Sequence, residues 1–152
     1  MLREKVSETL KEAMKAKDSR RVSALRLIMA KLKDKDIEVR VKGNMTGILD
    51  GEIQQMMQSM IKQRRESIEL YTKGNRSELA AQEQGEIDVI ETFLPQQLDD
   101  AALETAVKGV VAATGASSIK DMGKVMAGLK EAHGGQYDPS KASLAVKKVL
   151  GG

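Results

Sequence analysis

Residues 61–76 read IKQRRESIELYTKGNR, and how this stretch folds decides the architecture of the chain. Lys62, Arg64 and Arg65 fall within four positions, inside an apolar pattern of helical period that runs from Ile53 through Met57, Met60, Ile61 and Ile68 to Tyr71. Gly74 ends that pattern and a second one starts almost at once, with Asn75 as its expected cap and Glu78 three residues on. A turn this short folds the two helices into an antiparallel hairpin, so residues at equal distances from it face each other. Ile61 then meets Ile87, Met57 meets Ile90 and Ile53 meets Leu94. Arg64 falls in the same seam, opposite Glu83 and Glu86. The register therefore predicts a structural ion pair there and is preferred over an anion-binding role. Lys62 and Arg65 point elsewhere, with Glu66 and Glu69 four residues on, surface pairs worth about 0.2–0.5 kcal/mol each.

Upstream of the hairpin, Leu2, Val6, Leu10 and Ala13 form one helical stripe, and Val22, Leu25, Ile28 and Leu32 form the next, with Asp18 and Ser19 as caps at the break. Downstream, Pro95 stops the fourth helix, and LPQQLDD reads as a boundary between domains. Three shorter helices are expected beyond it. Asp99 caps the first, with Leu98 and Leu103 as a hydrophobic staple and Gly115 as its close. Ser118 opens the second, and Asp138 with Pro139 opens the third. No alternating strand pattern interrupts this sequence of helices. The expected fold is all-α: a helical domain over residues 1–95 and a three-helix domain over 96–152.

Composition narrows the function. The 152 residues contain no cysteine and one histidine, His133, which removes disulfides, thiolate nucleophiles, cysteine zinc sites and histidine clusters. No P-loop, nucleophile elbow or metal-spaced carboxylate set occurs, so no catalytic residue, metal or cofactor is expected. His133 ends a helix before two glycines, where an imidazolium suits the helix dipole. The absence of a long apolar run and of a signal-like N-terminus points to a cytosolic protein with no membrane partner. Charge is uneven: residues 1–42 hold 13 cations against 7 acids, and residues 43–95 hold 5 against 9. With only Tyr71, Phe93 and Tyr137 as aromatics, base stacking on a single-strand platform is not expected. Phosphate and shape recognition of a folded RNA requires only cations and accessible backbone.

The segments KQRRESIELYTKGNRSEL, ETFLPQQL and SSIKDMGKVMAGL, in that order, resemble the YqeY family, also called GatB/YqeY domain proteins, over essentially the whole chain. GKVM at Gly123–Met126, a later glycine pair and Asp138-Pro139 are also similar to the C-terminal tail of GatB. GatB is a subunit of the tRNA-dependent amidotransferase, a carbon–nitrogen ligase with glutamine as amido donor. The resemblance implies a module that helps to hold tRNA, alongside an aminoacyl-tRNA synthetase or amidotransferase subunit. The chain matches the tail and not the catalytic body, so activity is expected only with partner subunits.

On this reading the candidate tRNA contacts are Lys120, Gly123, Lys124, Lys130, Lys147 and Lys148 in the tail, with Arg20 and Arg21 as a second contact and no DNA partner. Each lysine taken alone is equally an ordinary solubilising side chain, and Arg26 is equally explained by pairing with an acid. Gly123 and Gly128 each cost roughly 1 kcal/mol relative to alanine inside a helix. Close approach of a neighbouring helix is the first explanation for both, and close approach of RNA backbone to Gly123 is the second. The other functional class compatible with the sequence is a helical protein-interaction module that uses a groove between the domains and binds no RNA.

Overall fold

A computed structural model describes residues 1–151. Among these residues the chain forms seven α-helices, one short 3₁₀ turn and no strand. The helices are α1 (Leu2–Lys15), α2 (Ser19–Val41), α3 (Asp50–Lys73), α4 (Ser77–Glu91), α5 (Asp100–Thr114), α6 (Met122–His133) and α7 (Pro139–Val149). They divide into two compact units, one over Met1–Leu94 and the other from Pro95 onward.

The first unit is built around the α3/α4 hairpin. Ile53, Met56, Met57, Met60 and Ile61 from α3 share a buried cluster with Ile87 and Ile90 from α4, completed by Val6 of α1 and Leu25, Ile28 and Leu32 of α2. The turn differs from its expected form at one residue. Asn75 adopts a left-handed conformation, φ +57°, and Arg76 rather than Asn75 is the N-cap of α4. The tight reversal after Gly74 requires a left-handed residue, and asparagine tolerates that conformation better than most non-glycine residues. Glu78 is drawn to the Arg76 guanidinium at 2.9 Å and completes no capping box. Asp18 does cap α2, accepting from the Arg21 N–H at 3.2 Å.

The loop from 42 to 49 is held by an ionic clasp. The Arg3 guanidinium grips Asp36 on α2, and its Nη2 also donates to the Ile48 carbonyl at 3.0 Å. Asp36 in turn accepts from the Ile48 N–H at 2.9 Å. The Arg3 hydrogen bonds are the main reason that the Asp36 carboxyl lies below its ordinary pKa.

In the second unit α5, α6 and α7 enclose Leu103, Val107, Val125, Leu129, Tyr137, Ala142 and Val146. Pro95 is tied into this unit because Gln97 Nε2 bridges its carbonyl (2.9 Å) and that of Gly135 (2.7 Å). Asp99 caps α5 through the Ala102 N–H at 2.7 Å, and Gly115 closes it at φ +70°. Asp138 accepts from the Ser140 N–H at 2.9 Å, with Pro139 in the first turn of α7. Ser118 opens a 3₁₀ turn, Ile119–Asp121, that leads into α6 rather than α6 itself.

Candidate nucleic-acid interface

The start of α6 is set by which of its residues the core claims. Val125 and Leu129 are fully buried, and Met122 and Met126 are half-buried against the same cluster. That leaves Gly123, Lys124 and Ala127 on the outer side. The two glycines of α6 prove to be different. A Cβ at Gly128 would lie 2.7 Å from Val110 Cγ1, so any side chain there would force Val110 of α5 to shift. A Cβ at Gly123 would meet nothing within 4 Å. Close helix approach therefore explains Gly128 and not Gly123, because only one of the two faces α5.

Lys120 in the 3₁₀ turn and Lys124 in the first turn of α6 flank Gly123; both are exposed and make no ion pair among the described residues. Between them Asp121 turns back on the backbone, accepting from the N–H groups of Ser117 (3.0 Å) and Ser118 (3.4 Å). Those two bonds are the principal cause of its lowered pKa, with Lys124 a lesser one. The result is a short stretch of bare helical backbone bordered by two exposed ammonium groups.

The remaining tail lysines are not gathered at that spot. Lys130 lies six residues beyond Lys124, about 120° around the helix, and is exposed. Lys147 is exposed in the last turn of α7 and makes no ion pair among the described residues. Lys148 is partly committed: its Nζ is 3.6 Å from Glu104 of α5, as Lys141 is 3.6 Å from Asp100. His133 Nδ1 lies 3.2 Å from Gln136 Oε1 in the following loop.

In the first unit, Arg20 is exposed and Arg21 half-buried, and both line a groove of about 710 Å³ between the start of α2 and α4. Its opposite wall carries Glu78 and Glu86, so its walls carry charges of both signs. Arg26 is exposed and pairs with no acid among the described residues. Arg64 sits in the hairpin seam, its Nε donating to Glu86 Oε2 at 2.9 Å and its Nη1 to the Met60 carbonyl at 3.2 Å. The two side chains are 14% and 15% exposed. Glu83 lies beside them without a direct bond to Arg64; burial first, and then the neighbouring Glu86 charge, raise its pKa against the pull of Arg64. Arg65 pairs across the hairpin with Glu91 (3.3 Å) instead of with Glu69, which is taken by Lys73 (3.2 Å). Sequence spacing suggests the local pair, but the hairpin register brings a competing carboxylate within reach.

Phe93 and Tyr137 are buried, with the Lys5 ammonium over the Phe93 ring at 5.9 Å. Among the described residues no group of three or more histidine, aspartate or glutamate side chains is placed to hold a metal ion, and no helix is long and apolar enough to cross a membrane.

The model of the YqeY family, described as Yqey-like protein, matches residues 3–150. Among individual proteins, the chain is similar to "Altered inheritance of mitochondria protein 41, mitochondrial" of Lachancea thermotolerans, with 33% identity over 60% of this chain and 46% of that protein. The protein of the same name in Saccharomyces cerevisiae S288c is 34% identical over 57% and 45%. That of Vanderwaltozyma polyspora is 32% identical over 62% and 52%. The chain spans about half the length of the curated relatives it matches. On the family match, which runs nearly end to end, the chain belongs to the YqeY family.

Proposed function

We propose that this YqeY-family chain is a cytosolic tRNA-associated adaptor that presents its three-helix unit to the body of a folded tRNA, while a synthetase or amidotransferase partner supplies the chemistry. The observation that carries this reading is Gly123. It lies in the first turn of α6, where a Cβ would meet nothing within 4 Å, so the backbone there is open to close approach, as at Gly85 and Gly109, but here with a lysine on either side. A phosphodiester backbone lying across that spot accounts for the missing side chain, and Lys120 and Lys124 sit where they would neutralise its phosphates. Exposed Lys130 and Lys147 extend the contact around the unit. Lys148, 3.6 Å from Glu104, contributes less, and the mixed-sign groove at Arg20 and Arg21 makes those arginines secondary.

The test is equilibrium binding of the full chain to total tRNA at several salt concentrations, with duplex DNA as control. Salt-sensitive binding that prefers tRNA, and that is lost on replacing Lys120, Lys124, Lys130 and Lys147 by alanine, is the expected result. Failure to bind tRNA at low salt would overturn the reading.

A further inference from the structure

The helix α2 is apolar on two opposite sides. Ala24, Leu25, Ile28 and Leu32 are buried in the core of the first unit. Facing away from it, Leu27, Ile37 and Val41 are 42%, 47% and 85% exposed. Together with exposed Ala30 and Asp34 they are spaced 3, 4, 3 and 4 residues apart, which is the a/d spacing of a helix that lies along another helix. At 100° per residue the five fall within about 80° of arc, on the far side from the buried set.

The border of this stripe is charged in the same register. Each position just before an a position holds a cation, namely Arg26, Lys33 and Arg40. All three are exposed, and none makes an ion pair among the described residues. On the other border Lys31 has no ion pair among the described residues, and Glu38 is engaged by Lys35 at 3.4 Å. The stripe thus carries about two heptads of seam with one edge wholly basic.

We propose that the outward face of α2 is a docking surface for an acidic amphipathic helix of another protein. Charge complementarity selects that occupant. A second copy in the two-fold, antiparallel arrangement would set the Arg26, Lys33 and Arg40 edge against itself. An anionic lipid surface would take the cations but would draw Asp34, in the middle of the stripe, into the interface, and the stripe has no aromatic anchor. RNA phosphates would leave Leu27, Ile37 and Val41 unrewarded between the charged edges. A helix with acidic residues along its edge satisfies the cations and the apolar stripe together, and a cationic or amide side chain opposite Asp34 fixes its register. Two heptads bury too little surface for tight binding, so the complex is of micromolar class.

The experiment measures fluorescence anisotropy of two synthetic helical peptides of about four heptads titrated with the full chain. Both carry an isoleucine–leucine seam, and the flanking positions are all glutamate in one and all lysine in the other. The glutamate peptide should bind and the lysine peptide should not. Ile37→Asp should weaken binding at least about tenfold. Combining Arg26→Glu, Lys33→Glu and Arg40→Glu should invert the preference, since rim charges set partner choice. Circular dichroism and thermal melting of both variants should match the parent, because every altered side chain is exposed. The proposal is overturned if the glutamate peptide does not bind or if charge reversal leaves the preference unchanged. It is equally overturned if Ile37→Asp abolishes binding to equimolar phosphatidylglycerol–phosphatidylcholine vesicles or to total tRNA instead.

Discussion

Arg64 and Lys124 are both cations in charged, helix-forming stretches, yet the fold treats them in opposite ways. Arg64 is packed into the α3/α4 seam with Glu86 at 2.9 Å and a backbone carbonyl at 3.2 Å. Lys124 stands in solvent beside bare backbone and forms no ion pair among the described residues. The denser cluster of charge is therefore architecture, and the sparser one is available for contact. Density of basic residues along the sequence does not show which is which; the partner carboxylates do.

The sharpest way to break this contrast is to remove the seam cation. Arg64→Met leaves the Glu86 carboxylate poorly solvated and unpaired, and should cost about 2–3 kcal/mol in urea unfolding. Adding Glu86→Leu should recover most of that loss, because a well-packed apolar pair often matches a buried ion pair. Next comes Gly128, where valine should cost about 2 kcal/mol by overpacking α5 against α6. Val110→Ala in the same chain should return part of it, read from thermal midpoints. The opposite sign is expected five residues earlier: Gly123→Ala should stabilise by less than about 0.5 kcal/mol, because only helix propensity changes there and the position lies in the first turn of α6.

The smallest effect is a pH dependence. Glu83 is raised, so its proton is held more tightly in the folded chain than in the unfolded one. Its contribution to stability is intact below the ordinary carboxylate pKa and is eroded as pH rises from there through the folded value. Glu83→Gln should stabilise slightly at neutral pH, with the gain vanishing in acid. Asp36 has the opposite sign: lowered chiefly by Arg3, it stabilises above the unfolded pKa and loses that contribution as pH falls through the folded one. Urea melts across the acidic range on Glu83→Gln and Asp36→Asn should show the two slopes diverge.

Much of the fold was legible because local signals and the hairpin register agree. Asp18, Asp99 and Asp138 cap the helices that their positions suggest, and the seven helices form in the expected order. What was not legible depends on three-dimensional neighbours. Asn75 has the right chemistry for a cap, but the turn geometry assigns it a left-handed backbone. Gly123 and Gly128 look alike in sequence, and only the path of α5 separates them. The Arg3–Asp36 clasp joins residues 33 apart that no periodicity connects. The second apolar stripe of α2 was hidden for another reason: with apolar residues on both sides, the helix loses the one-sided pattern that marks a face.

The most direct test of the contrast between the hairpin cations and those at the start of α6 is the slope of log K for tRNA binding against log salt, compared among the parent chain, Lys124→Ala and Arg65→Ala. Each lost phosphate contact should lower the slope by about one. Lys124→Ala should show that drop and Arg65→Ala, which only frees Glu91, should not. A slope lowered by Arg65→Ala but unchanged by Lys124→Ala would contradict the account.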